Sequence, residues 1–290
     1  MGWRTIIISR RAKLDYRMNY MEIRTDTLNK VYIQEISVLL IESTAVSMTA
    51  ALLCELVKNK VKVIFCDEQR NPLSELCSLR GSHNTSLKVR EQAVWSNETK
   101  NQIWTEIVME KISRQMHLLK KLEKPEWELL NEFIDELQPG DSTNREGHAA
   151  KVYFNALFGM SFTRSKETPI NAALNYGYSI LLSAVNREIS SAGYITQLGL
   201  FHDNVFNPFN LGSDLMEPFR PIVDECIFFM KPEKFETLEK RMIIDLLNSE
   251  IIIEGRKQIV NNALKIYCRS VFEAISEHDV SLLKFYTDEL

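Results

Sequence analysis

The chain has 290 residues, enough for two buried cores, and its 45% hydrophobic and 26% charged content is that of an ordinary globular protein. A net charge of −4 argues against a protein that coats nucleic acid all over, yet leaves room for a local basic groove. No apolar run is long enough to span a bilayer and the N-terminus lacks a signal-peptide layout, so no membrane partner is expected and the cytoplasm is the default compartment.

Residues 3–43 read as strands. The run 5–9 is β-branched, 12–16 and 18–25 alternate, and 31–36 and 38–41 extend the pattern. Arg4, Arg10, Arg11, Lys13, Arg17 and Arg24 cluster here, either as a solvated strand face or as a functional patch. Thr44 is a plausible N-cap for a helix through Lys58, and 61–66 is a further strand. Beyond about residue 80 the helical period dominates. Trp104, Val108, Ile112, Met116, Leu119 and Leu122 form one core stripe within 84–123. Pro125 opens a second helix, Thr143 caps a third to about Phe158, and Thr168-Pro169 starts a fourth that ends at Gly193. Further helices cover roughly 214–230, 236–247 and a last stripe from Val260 to Ile275, with a short extended piece at 250–255. The fold class is therefore α+β: a small β-rich N-terminal domain, 1–80, followed by a larger all-α domain, 81–290. Cys54, Cys66, Cys77, Cys226 and Cys268 lie far apart without CxxC spacing and read as reduced core thiols.

The chemistry concentrates between Gly199 and Asp224. His202 ends an apolar run, an Asn-, Pro- and Gly-rich loop follows, and Asp214, Glu217 and Arg220 stand in an otherwise apolar segment. Upstream, Glu146 shares a helical stripe with Ala149, Ala150, Tyr153 and Leu157. Each has an ordinary reading: His202 as a hydrogen-bonded structural histidine, Asp214 as a helix cap, Glu217 and Glu146 as first-turn acids facing a helix dipole. Taken together, carboxylates with a single imidazole need a positive partner, and that donor set suits Mg²⁺ or Mn²⁺ better than a thiolate-rich zinc site. His117 and His148 are treated as ordinary residues. There is no GxxxxGKS, GxGxxG, HExxH or GxSxG motif, which removes nucleotide triphosphatases, dinucleotide oxidoreductases, zincins and α/β-hydrolases as leading ideas.

Glu146 in a helix, His202 after a Gly-Leu pair, the run SDLMEPFRPIVD at 213–224, and Asn175-Tyr-Gly-Tyr178 before Leu181-Leu182 together resemble the CRISPR-associated integrase family, nearest its type II branch. That family supplies the catalytic subunit of the spacer acquisition complex. The resemblance implies metal ligands at Glu146, His202 and Glu217, with Asp214 matching a nearby acid and Arg220 a basic position facing phosphate. Many members carry Asp where this chain has Glu217, which keeps the ligand type but moves its oxygen. The resemblance further implies a homodimer through the β-rich domain and a heterohexamer with a small ferredoxin-like partner. It also implies DNA substrates: a duplex with single-stranded 3′ ends, and CRISPR repeat DNA. The type II branch also works alongside the RNA-guided effector nuclease of its system. Arg145, Lys151 and Arg220 are expected to hold backbone phosphates. Tyr176 and Tyr178 either steer a DNA end or belong to the core. The expected activity is insertion of short DNA fragments into a CRISPR array by transesterification, with nuclease activity beside it. The competing readings are a non-catalytic DNA-binding scaffold and a helical metal-dependent phosphoesterase. The apolar residues of the tail at 281–290 fold back onto their own domain or dock a partner.

Overall fold

A computed structural model describes residues 2, 4–76 and 84–287. It divides into two compact units, Met1–Gly81 and Ser82–Leu290. Cys77 and the predicted boundary at 80/81 lie outside the described residues.

The first unit contains β1 (Arg4–Ile8), β2 (Ala12–Arg17), β3 (Tyr20–Arg24), β4 (Leu28–Tyr32), β5 (Ile36–Ile41), β6 (Val46–Met48), α1 (Ala50–Lys58), β7 (Lys62–Cys66) and β8 (Pro72–Leu76). One sheet runs β4-β3-β2-β6 and the other β1-β5-β7-β8. In the second, β1, β5 and β7 are parallel and β8 closes the edge antiparallel. Every residue of β5 is buried, as expected of a central parallel strand covered on both faces. Leu14, Met21, Leu39, Leu52, Leu56 and Val63 join the two sheets and α1 into one core. The helix predicted from Thr44 starts later. Val46–Met48 pairs with β2 instead, and the cap is Thr49, whose side chain accepts from the Leu52 amide at 3.4 Å. The N-terminal basic cluster is largely neutralised in place. Arg4 meets Glu35 at 2.9 Å, and buried Glu22 accepts from Arg24 and forms an ion pair with Lys30, each at 3.0 Å. Arg11 and Arg17 remain exposed.

The second unit contains α2 (Thr85–Ala93), α3 (Asn97–Lys121), α4 (Trp127–Asp135), α5 (Arg145–Phe158), α6 (Pro169–Ala192), α7 (Asn210–Leu215), α8 (Arg220–Met230), α9 (Thr237–Asp245), β9 (Glu250–Ile253), β10 (Arg256–Ile259), α10 (Val260–Glu277) and β11 (Tyr286–Thr287). The α+β reading holds, but the second unit is not all-helical. Glu254 and Gly255, at φ 53° and 68°, turn β9 onto β10, and β11 adds from the tail to the other edge of β9. The tail therefore folds back at least as far as Thr287, with buried Tyr286 against Phe219 and Phe285 against Tyr267.

Two predicted helices are broken. The segment 84–123 splits before Ser96, which caps α3 by accepting from the Thr99 amide at 3.0 Å. The segment 214–230 splits around a 3-10 turn, Glu217–Phe219, because Pro218 and Pro221 each start a new turn and remove backbone donors. The fourth helix, α6, starts at Thr168-Pro169 and ends at Gly193 as its residues predict. Gly177 lies where α6 crosses α8, and a Cβ there would overlap the Val223 side chain. Cys66 and Cys268 are buried, whereas Cys54 is exposed and Cys226 half-buried, so the core-thiol reading fails for Cys54. Among the described residues no helix is long and apolar enough to cross a membrane.

Candidate catalytic site

Glu146 is fixed by the start of α5. Thr143 is not the cap. Asn144 adopts φ 55°, and the Asp141 carboxylate accepts from the Arg145 and Glu146 amides at 2.6 and 3.1 Å. This directs the Glu146 carboxylate toward α3, where it meets Lys111. Glu217 arrives from the other side, on the 3-10 turn between α7 and α8, and its Oε2 makes an ion pair with the same ammonium. Glu217 Oε1 pairs with Arg220 at 2.9 Å. Oε2 is buried and makes no well-directed hydrogen bond, even to Lys111. Two carboxylates from distant elements thus converge on one cation.

Their charges depend on each other. Burial opposes the Lys111 ammonium, but Glu217 and Glu146 outweigh it and hold its pKa above the ordinary value. Burial likewise pushes Glu217 up, yet Arg220 and Lys111 keep it below the usual carboxylate range.

His202 lies in the loop between α6 and α7, with its ring edge-on to Trp104 at 5.8 Å. Asp214 holds it. This fully buried carboxylate accepts from the amides of Leu200 (2.6 Å), Phe201 (3.1 Å) and His202 (3.1 Å), and contacts His202 Nδ1 at 2.5 Å. The Asp214 bond raises the imidazole pKa above its ordinary value, against the opposing effect of burial. With Nδ1 engaged, Nε2 is the nitrogen left to face a ligand. Gly199 permits the turn, since a Cβ there would run into the His202 carbonyl.

Asp214 is therefore not a helix cap: both its oxygens shape the His202 loop. Asp214→Asn removes the charge and turns one acceptor into a donor facing amide N–H groups. An expected loss of about 2–3 kcal/mol in unfolding free energy, read from the denaturant midpoint, follows from breaking charge-assisted bonds in a buried position.

Among the described residues no three His, Cys, Asp or Glu side chains are close enough as they stand to hold a metal ion. The donor chemistry nevertheless fits a divalent cation. Two carboxylates already flank one positive charge, Glu217 Oε2 lacks a directed partner, and the His202 imidazole is held through Nδ1 by Asp214.

The sequence model for CRISPR associated protein Cas1 matches residues 5–254. The chain belongs to the Cas1 family. It is 33% identical over 261 residues to a CRISPR-associated endonuclease Cas1 of Neisseria meningitidis serogroup C, covering 88% of this chain and 86% of that one. Among solved structures it resembles a casposase bound to integration product (TM-score 0.77, 18% identity, 97% of this chain and 93% of that one). It also resembles a chain of a Cas6-RT-Cas1–Cas2 complex (TM-score 0.75, 17% identity), covering all of this chain and 36% of that longer one.

The Cas1 residues expected to touch DNA fare differently. Lys151 is exposed. Arg145 is paired with Glu136 at 3.0 Å beside the Phe133 ring, and Arg220 is held by Glu217 with its guanidinium 4.7 Å from the Tyr178 ring. The Tyr178 ring is buried, its hydroxyl donates to Asp224, and its face supports the Arg220 guanidinium, which agrees with the core alternative. Tyr176 is buried too, against Phe235. The residue that sequence reasoning missed is Lys111. Its signal was available: a lysine at three and four residues from Val108 and Ile107, on the apolar face of α3.

Asp224 lies behind this cluster. It accepts from Tyr178 and, at 3.1 Å, from Tyr153, yet burial outweighs both donors and pushes its pKa from 3.8 up to about 6. The folded state then binds the Asp224 proton more tightly than the unfolded chain, so this group's contribution to stability falls as pH rises between those two values and is flat above them. Asp224→Asn has no such titration. Its stability relative to the parent protein is expected to improve with rising pH across that window, in paired urea unfolding curves.

Proposed function

We propose that this chain is the integrase subunit of a CRISPR spacer acquisition complex, joining a DNA 3′-hydroxyl to a phosphodiester at the edge of a CRISPR repeat. The observation that supports it most is the convergence of Glu146 and Glu217 on one cation, beside an imidazole that Asp214 orients. Membership in a family whose curated relatives are named endonucleases agrees with it.

In this reading Glu146, Glu217 and His202 Nε2 would hold Mg²⁺ or Mn²⁺, which would supply Lewis-acid polarisation of the scissile phosphate and a lowered pKa for the attacking hydroxyl. Glu217 is kept ionised by Arg220 and Lys111, so it is ready as a ligand at neutral pH. Asp214 holds the His202 ring through Nδ1, which leaves Nε2 for a ligand. Arg220, backed by the Tyr178 ring, supplies a guanidinium one turn from Glu217 to hold a non-bridging phosphate oxygen. Lys151 and Arg145 steer the backbone of the DNA from the outer face of α5. The partners proposed are a second copy of this chain through the β-rich unit, a small ferredoxin-like protein, and the type II effector nuclease.

One observation favours the scaffold reading: Lys111 and Arg220 together already balance the charges of the two carboxylates. Strand joining by the purified protein and its small partner on a supercoiled repeat plasmid separates the two. Product is expected with Mg²⁺ or Mn²⁺ and not in chelator. Equal product in chelator overturns the metal-dependent reading, and no product under any condition favours the scaffold. Gel-shift affinity for branched DNA is expected to fall steeply with salt, which a small phosphoester substrate would not produce.

A further inference from the structure

Lys111 is an unusual residue to find between two candidate metal ligands. It rises from the middle of α3, its side chain is 5% exposed, and its ammonium touches both Glu146 and Glu217. A lysine buried among apolar neighbours is costly unless paired, and here both partners are the carboxylates that the proposed metal requires. One space cannot hold an ammonium and a divalent ion together, because like charges at contact distance repel strongly where water is excluded.

We propose that Lys111 is a built-in counter-cation that holds Glu146 and Glu217 together in the metal-free protein and must swing away each time a divalent ion binds. The inference rests on the metal-dependent reading above. Charge arithmetic supports it. Glu146 and Glu217 against Lys111 and Arg220 leave the cluster neutral, so the metal-free site draws DNA phosphate weakly. Exchanging the Lys111 ammonium for a divalent ion turns the neutral cluster net positive by one charge, matching the extra negative charge that a phosphodiester gains at the point of attack. Lys111 is thus a positioning residue: it keeps the carboxylates close without metal and sets how readily the ion enters.

The geometry also explains why the carboxylates are gathered while His202 is not yet at ligand distance. Lys111 collects the two acids; His202 stays tied to Asp214 until an ion draws on Nε2.

Two measurements test this on the intact protein. Mn²⁺ affinity, by electron paramagnetic resonance of the free ion, is compared between parent, Lys111→Met and Lys111→Gln, the last keeping a hydrogen-bond donor in case the first folds poorly. Removing the competitor is expected to tighten Mn²⁺ binding about tenfold, to lower the melting temperature in chelator, and to enlarge the rise that Mn²⁺ produces. Because deleting any nearby positive charge favours a cation, the displacement is read separately in the parent protein. Reductive methylation followed by peptide mass spectrometry is expected to find Lys111 protected in chelator and labelled in Mn²⁺. Equal or weaker Mn²⁺ binding by the variants, or unchanged protection of Lys111 in saturating Mn²⁺, overturns the proposal while leaving the metal-dependent reading intact. Absence of Mn²⁺ binding in all three proteins overturns both.

Discussion

Glu146→Gln is expected to reduce strand joining by at least about a hundredfold while leaving the fold nearly as stable as before. The two effects separate because Glu146 sits at the rim. Its side chain is 30% exposed, whereas Glu217 is 4% exposed. The amide keeps the size and one acceptor for Lys111, which retains its full ion pair to Glu217. The stability cost should not exceed about 1 kcal/mol, the scale of a first-turn charge lost at a helix N-terminus. Joining, however, loses a negatively charged ligand at the point where the phosphate must be polarised. The check is a time course of joined product beside thermal melting of the same preparation. Joining at the parent rate with an unchanged melting curve removes Glu146 from the site.

Glu217→Ala is expected to do the opposite kind of damage first. Here the acid is buried between Lys111 and Arg220, so its removal strands positive charge in a place that water does not reach. Breaking a buried pair from one side costs about 3–5 kcal/mol, and the denaturant midpoint should fall accordingly, with joining lost as well. Lys111→Met added to Glu217→Ala should restore part of that stability and none of the activity, because it deletes a charge that has lost a partner. A double variant no more stable than Glu217→Ala would mean that Lys111 is satisfied by Glu146 alone.

Helix starts and stops were readable wherever a residue can do one thing well. Thr168 accepting from the Asn171 amide, Pro169 in the first turn and Gly193 at φ 92° bound α6 by local chemistry. The same logic misplaced α1 and α5. Thr44 and Thr143 have suitable side chains, but pairing of 46–48 with β2 and the reach of Asp141 into the first turn of α5 are tertiary contacts that local spacing does not carry. The site residues Glu146, His202 and Glu217 stood out as polar groups in apolar surroundings. Their surroundings did not. That Asp214 would close four contacts on the His202 loop depends on a loop conformation, and no periodicity encodes it. Tyr178 read equally well as a DNA contact or as core until the burial of its ring decided for core. Lys111 lay in plain view on a core stripe and was passed over because lysines on long helices are usually solvated.

The clasp made by β11 bears on how the molecule comes into being. Tyr286 donates nothing to the reaction, yet its carbonyl takes a hydrogen bond from Arg114, one turn beyond Lys111 on α3, and its ring lies 4.9 Å from Phe219 on the turn that carries Glu217. A chain leaving the ribosome has made Glu146, His202 and Glu217 long before it makes Tyr286. The wall behind the carboxylates therefore closes only after residue 286 has been made, and a nascent chain that has not reached Tyr286, or one truncated before it, carries every acid of the site without that backing.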